Sequence, residues 1–150
     1  MPPPVALIAR SFQRLLGRPL VESLDARSGD AAIEAALLEA TAVIVAHGTE
    51  PDPIFFYGNR AALQLFEATH AQFTAMPSRL SAEPMLREER ERLLARVREH
   101  GYIDDYSGVR ISLGGRRFRI ARAIVWNLVD EAGVRRGQAA TFDAWEPLPP

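Results

Sequence analysis

The sequence predicts one α+β domain, in which helices precede and interrupt an antiparallel sheet. Apolar residues recur with helical spacing near the amino terminus, and strand-like runs follow at Val43–Ala46 and Ile54–Tyr57. From Ile103 onward, apolar and polar residues alternate as they do in strands. The chain has 150 residues, of which 47% are hydrophobic, so it can form one core. We expect a five-stranded antiparallel sheet with helices on one face and an N-terminal helical extension.

The first two predicted elements are helices. An amphipathic helix begins at Val5 and stops at Gly17, which is followed by a proline. Asp30 can cap a second helix whose apolar stripe includes Ile33 and Leu37. The predicted organisation is an N-terminal helix and loop over residues 1–29, a main domain over 30–146 and a proline-rich tail over 147–150.

The next elements are a hairpin and more helices. The strands Val43–Ala46 and Ile54–Tyr57 flank a turn rich in prolines and acids. Asn59 can cap a helix that starts near Arg60. A charged helix is predicted over Arg87–His100, because an apolar stripe runs along it and a glycine follows.

Three antiparallel strands complete the predicted sheet. They cover residues from Ile103 to Leu113, from Phe118 to Leu128 and from Gln138 to Trp145. Strict alternation along the second of these strands predicts that one row faces the helices: Phe118, Ile120, Ile124, Trp126 and Leu128. The amphipathic N-terminal helix is the candidate to pack on the opposite face of the sheet.

Composition excludes several chemistries. The chain has no cysteine and no lysine, so disulfides, thiolate metal sites, thiol photochemistry and Schiff-base catalysis are ruled out. His47, His70 and His100 do not have metal-ligand spacing. A net charge of −1 argues against nucleic-acid and membrane partners, and the N-terminus does not read as a secretory signal, so we expect a cytoplasmic protein.

Several phrases in the chain resemble the MEKHLA domain, a PAS-like family. In order, they are FFYGNRAALQLFE from Phe55, FTAMPSRLSAEPM from Phe73, GYIDDYSGVRIS from Gly101, FRIARAIVWNLVD from Phe118 and GQAATF from Gly137. The chain contains no homeodomain or zipper, so it resembles the free-standing bacterial type. The resemblance implies a PAS-like sheet that encloses a cavity, in a sensory or ligand-binding module with no settled ligand. It indicates no particular cofactor, and a flavin held without a covalent bond stays open.

We expect the ligand cavity to lie between the sheet and the segment from Phe66 to Leu94. Its predicted apolar lining consists of Phe66, Phe73, Met76, Met85 and Trp126. Trp126 can equally be a core aromatic that touches no ligand. Such a lining suits a small apolar or aromatic molecule with one polar end.

Three polar residues are candidates to hold that polar end. Tyr106 and Arg110 lie four apart on one predicted strand, and Gln138 begins the neighbouring strand. An arginine beside a hydroxyl and an amide can bind a carboxylate or a carbonyl. An ion pair with Asp104, on the same predicted face, is the alternative use of Arg110.

Three functions follow from these features. The first is a non-enzymatic sensory module that signals through dimer contacts or a protein partner in trans. The second is a small cofactor-free enzyme that uses Tyr106, Asp104 or Asp105, and Arg110 for proton transfer. The third is an interaction module with a filled core. We predict a homodimer through the apolar stripe of the first helix, and packing of that stripe on its own sheet is the rival.

Overall fold

The fold is an antiparallel sheet with helices on both faces. The computed structural model describes residues 2–83 and 87–150. The helices are α1 (Ala6–Leu16), α2 (Asp30–Glu39), α3 (Arg60–Leu65), α4 (His70–Phe73) and α5 (Arg87–His100), with a 3₁₀ turn at Ser78–Ser81 between α4 and α5. The predicted α+β class is confirmed, and α5 has the predicted bounds.

The sheet has the strand order β2-β1-β5-β4-β3, and all of its pairings are antiparallel. Its strands are β1 (Val43–His47), β2 (Phe55–Gly58), β3 (Tyr102–Ile111), β4 (Arg117–Val129), β5 (Arg135–Phe142) and the short β6 (Trp145–Pro147). The predicted last strand is therefore two elements, because β6 leaves β5 and pairs with Phe118–Ile120 of β4. Strands β1, β5 and β4 lie inside the sheet.

Asn59 joins the first hairpin to two helices. Its side-chain oxygen accepts hydrogen bonds from the N–H groups of Ala62, at 3.0 Å, and Ile44, at 3.1 Å. Its amide group donates to the carbonyls of Leu37 and Ala42. The predicted cap of α3 is confirmed, and the fully buried side chain also binds the end of α2 to β1.

Helix α1 packs on the sheet of its own chain. Ile8 and Phe12 are buried, and the Phe12 ring meets Trp126 of β4 edge-on, with a centroid distance of 4.9 Å. The indole N–H of Trp126 donates to the carbonyl of Ile8 at 3.1 Å. The rival interpretation is thus the one that the structure shows, and the stripe behind the homodimer prediction is not free to meet a second chain.

The alternation predicted for β4 is wrong beyond its first half. Arg122 has a left-handed backbone with φ of 53°, and the pairing with β3 is irregular around it. An extra residue in one strand moves every later side chain to the opposite face. Phe118 and Ile120 therefore share a face with Ala123, whereas Trp126 packs against α1.

Candidate ligand-binding cavity

A cavity of about 110 Å³ lies between the sheet and the helices on the face opposite α1. Strands β1, β3, β4 and β5 contribute to its walls, and so do the 3₁₀ turn and α5. Its apolar lining includes aromatic and branched side chains: Val45, Phe55, Phe66, Leu93, Ile120, Val125 and Phe142. Most of them come from alternate positions of the central strands, which point to one face of the sheet. That face is buried under the helices.

The structure brings together half of the predicted site. Phe66, Tyr106, Arg110 and Gln138 all line the cavity. They come from the end of α3 and from two strands, β3 and β5, that are separated in the sheet by β4. Gln138 was predicted on the strand next to that of Tyr106 and Arg110, but β4 lies between the two strands, and the three side chains share only the cavity lining.

Four other predicted lining residues lie elsewhere or are not described. Phe73 is fully buried beside the cavity, where it stacks on Phe55 with a centroid distance of 4.3 Å, and Met76 belongs to the same apolar cluster. Neither side chain lines the cavity. Trp126 is on the other face of the sheet, because the irregularity at Arg122 turns it toward α1. Met85 lies outside the described residues.

Arg110 is the charged group at the polar end of the cavity. Its Nη1 donates to the Ser81 hydroxyl at 3.3 Å, and its guanidinium lies 5.7 Å from the centre of the Tyr106 ring. The side chain is half-buried, and no carboxylate of the described residues forms an ion pair with it. The predicted alternative fails, because Asp104 is exposed and not paired with Arg110, while Asp105 pairs with Arg96 at 2.8 Å. Arg110 therefore presents a positive charge to the cavity without a counter-ion among the residues that the structure describes.

His47 is a cavity residue that the sequence analysis did not assign to the site. It ends β1, and its partner across the strands is Gln138 of β5. Its Nδ1 lies 3.0 Å from the carbonyl oxygen of Gly48. Burial lowers the pKa of His47 below its ordinary value of 6.5, and the positive charges of Arg135 and Arg110 lower it further, against a raising effect of the Gly48 hydrogen bond. The sequence did contain a signal for this position. Val43, Val45 and His47 are alternate residues of one strand and therefore point to the same face of the sheet.

A glycine keeps β5 close to His47. Gly137 has φ of 157°, and a Cβ at this position would stand 2.2 Å from the His47 carbonyl oxygen. A larger residue would push the two strands apart next to the cavity. The close approach thus supports the register that places His47 opposite Gln138.

The cavity is short of acid groups for catalysis. Its described lining contains His47 and Arg110 as charged or titratable groups, together with the Tyr106 hydroxyl, but no carboxylate. Asp104 and Asp105, one or the other of which the enzyme alternative uses, are both exposed on β3. The arrangement can therefore neutralise and hydrogen-bond an anion more readily than it can move a proton between carboxylates.

The described part of the chain has neither a metal-binding cluster nor a helix that could cross a membrane. Residues 2–83 and 87–150 contain no group of three or more His, Asp or Glu side chains placed to hold a metal ion. Within the same residues, every helix is too short or too polar to traverse a lipid bilayer.

Solved structures with similar folds are PAS and light-oxygen-voltage domains. The PAS domain of a Colwellia psychrerythraea protein superposes with a TM-score of 0.62 at 14% identity, over 77% of this chain and 92% of that one. A light-oxygen-voltage domain studied with a flavin analogue gives a TM-score of 0.58 at 15% identity, over 79% and 85% of the two chains. The predicted PAS-like fold is confirmed.

The sequence comparison narrows the class to one family. The model of the MEKHLA domain matches residues 4–147, and the chain belongs to the MEKHLA domain family. The homeobox-leucine zipper protein HOX29 of Oryza sativa subsp. indica is 25% identical over 126 residues, which are 84% of this chain. The chain spans only 15% of the length of that protein.

A flavin does not fit the cavity as it stands. An engineered protein cavity of about 150 Å³ holds a single benzene ring. The cavity described above has about 110 Å³, and its lining includes the rings of Phe55, Phe66 and Phe142. A three-ring flavin needs far more space, and the cysteine-free sequence offers no thiol for a covalent bond.

Proposed function

We propose that the chain is a PAS-like sensory module that binds a small apolar or aromatic molecule with one anionic or carbonyl end. The ligand's apolar part lies against Phe66, Ile120 and Phe142, and its polar end meets Arg110, Tyr106 and Gln138. The observation that carries this proposal is the half-buried guanidinium of Arg110, which lines the cavity without a carboxylate partner among the described residues. A charge removed from water is costly unless it is paired, and a bound anion supplies the pair.

The cavity volume limits the ligand to about one ring or a short branched chain. Arg110 and Tyr106 are half-buried, so the polar end of the cavity lies nearer to solvent than its aromatic end. Benzoate and isobutyrate therefore match it as probes, because each has a small apolar body and one carboxylate. Native mass spectrometry of freshly purified protein would also detect a molecule retained from the cell.

Calorimetry with these two probes tests the proposal. Arg110→Ala removes the charge-assisted contact and leaves the apolar lining in place, so its affinity for benzoate should be at least about tenfold lower. Arg119→Ala is the matched control, because Arg119 is exposed on β4 and does not line the cavity. Equal affinities of the two variants, or no binding of either probe to the unaltered protein, would contradict the proposal.

The signal leaves this module, in our proposal, through a homodimer or a partner in trans. Because Ile8 and Phe12 of α1 are buried on their own sheet, the contact surface is not the apolar stripe of that helix. Leu80 and Leu113 are 53% and 50% exposed and flank an apolar groove with Met76 and Ile111. Light scattering should show a concentration-dependent dimer that Leu80→Asp disrupts and the control Leu38→Asp does not. A monomer at every concentration would exclude the homodimer.

The cytoplasmic location stays a prediction, which cell fractionation can test.

A further inference from the structure

The hydrogen bond of His47 indicates which ring nitrogen carries the proton. A carbonyl oxygen only accepts hydrogen bonds, so the contact of 3.0 Å between Nδ1 and the Gly48 carbonyl places a proton on Nδ1. In the neutral ring, Nε2 is then an acceptor without a proton. The lowered pKa that burial gives this ring agrees with a neutral His47 near pH 7.

The groups that face His47 are cationic or uncharged. The charges of Arg135 from β5 and Arg110 from β3 lower the pKa of His47, whereas a hydrogen bond with the side chain of Gln138 from β5 has a smaller raising effect. Phe55 is its partner on β2, and the 3₁₀ turn brings Ser78 and Ser81 to the same cavity. The nearest acid of the adjoining loop, Glu50, instead accepts a hydrogen bond from the N–H of Ile54 at 3.2 Å. This end of the cavity thus combines positive charge with a histidine that has no carboxylate to stabilise its protonated form among the groups described.

We infer that the ligand of the cavity is a carboxylate and that His47 takes up a proton when the carboxylate binds beside Arg110. This inference rests on the proposed function and deepens it, since a neutral carbonyl ligand would not have this effect. A nearby negative charge favours the imidazolium form of histidine. The proton comes from solvent and adds to Nε2, which changes from acceptor to donor and can then donate to the carboxylate. No other bond forms or breaks.

Proton uptake makes binding depend on pH with a fixed sign. Binding takes up a proton only where the complex is protonated at His47 and the free protein is not. In that interval, the affinity for a carboxylate rises as the pH falls, by up to about tenfold per pH unit for one proton. At lower pH, His47 is already protonated in the free protein and the dependence ends. The module would then respond to carboxylate and to acidity together.

Calorimetry in two buffers with different ionisation enthalpies measures the proton directly. At about pH 7, benzoate binding to the unaltered protein should take up a measurable fraction of one proton, up to about one. Benzamide is the matched neutral probe and should bind without uptake. His47→Gln should bind benzoate without uptake, whereas His100→Gln, altered at an exposed histidine on α5, should behave like the unaltered protein.

The outcomes separate this inference from the proposed function. Benzoate binding without proton uptake, or uptake that persists in His47→Gln, would overturn the role of His47 and leave the ligand cavity standing. No binding of benzoate, isobutyrate or benzamide at any pH would overturn the proposed function itself. If His47→Gln does not fold, an NMR titration of the His47 ring in the unaltered protein decides, because benzoate must raise its pKa and benzamide must not.

Discussion

The two faces of the sheet differ in how they treat polar groups. On the face under α1, the Trp126 indole donates to Ile8 and the Ser11 hydroxyl accepts from the N–H of Val129, within a closely packed apolar cluster. On the other face, Arg110 and His47 border a cavity, and Arg110 has no described carboxylate as partner. The two polar side chains named on the first face thus have partners within the chain, whereas the charge of Arg110 on the second face is not paired with a described carboxylate.

The same strand contributes side chains to both faces. Strand β4 presents Ile120 and Val125 to the cavity and Trp126 to α1. Consecutive strand residues alternate between the faces, and the irregularity at Arg122 decides which residues of the second half face the cavity. Substitutions on the α1 face should therefore change stability, and substitutions at the polar end of the cavity should change binding.

The largest effect should come from Trp126→Ala. The change removes a fully buried side chain, its edge-on contact with Phe12 and its hydrogen bond to Ile8, so the free energy of unfolding should fall by about 3 to 5 kcal/mol. Trp145→Ala is the matched control, because Trp145 on β6 is 39% exposed, and it should cost less than about 1 kcal/mol. Chemical denaturation measures both. Equal losses would show that the α1 face is not the tightly packed one.

Asn59→Ala should have the next largest effect. Its four hydrogen bonds join β1, α2 and α3 in a buried position, and their loss would leave backbone groups without partners. We expect a loss of about 3 kcal/mol, against about 1 kcal/mol for Thr69→Ala, which removes only the exposed cap of α4. If denaturation gave the two variants the same loss, the additional bonds of Asn59 would contribute nothing measurable.

His47, on the cavity face, should make the free energy of unfolding depend on pH. Because folding lowers the pKa of His47, its contribution is fully present above the ordinary value of 6.5 and is lost as the pH falls toward the folded-state pKa. The unaltered protein should therefore lose stability below about pH 6.5 more steeply than His47→Gln does. His100→Gln is the control and should follow the unaltered protein. Parallel curves for His47→Gln and the unaltered protein would mean that the ring is not held neutral.

The smallest effect on stability is expected at Tyr57, whose hydroxyl is an exception to the paired polar groups of the α1 face. Tyr57 belongs to the apolar cluster there, and its hydroxyl is buried without a hydrogen-bond partner in the described structure. Burial, with a smaller effect of Glu34, raises the pKa of Tyr57 to about 12. Tyr57→Phe removes the unsatisfied group, so thermal and chemical denaturation should show unchanged stability or a gain of up to about 1 kcal/mol. A clear loss would mean that the hydroxyl has a partner, such as ordered water.

The fold was predictable because its signals are local. The periods of α1, α5 and the terminal strands are visible in the sequence, and Asn59 stands where a cap is needed. The three other hydrogen bonds of Asn59 were not predictable, since their partners come from β1 and from residues at and after the end of α2. Local sequence preferences predict a helix or strand, but they do not predict which distant residues contact its ends.

The site was only half predictable because it depends on backbone geometry and on neighbours distant in sequence. Alternation cannot reveal the left-handed residue Arg122, so it assigned Trp126 to the wrong face. Asp105 pairs with Arg96 of α5 and not with Arg110. This pairing depends on how α5 packs against β3, which the sequence does not reveal. Phe73 lies beside the cavity and not in its wall. The ring of Phe55 lines the cavity, and Phe73 stacks on that ring.

One face of the sheet is the apolar core under α1, and the other is, in our proposal, an anion-accepting ligand site. An NMR titration of the uniformly ¹⁵N-labelled protein with benzoate tests this most directly, because every backbone amide reports separately. We expect shift changes that saturate and cluster at His47, at Tyr106 and Arg110, and at Gln138, with none along α1. Changes concentrated on α1 and around Trp126, or no saturable change anywhere, would contradict it.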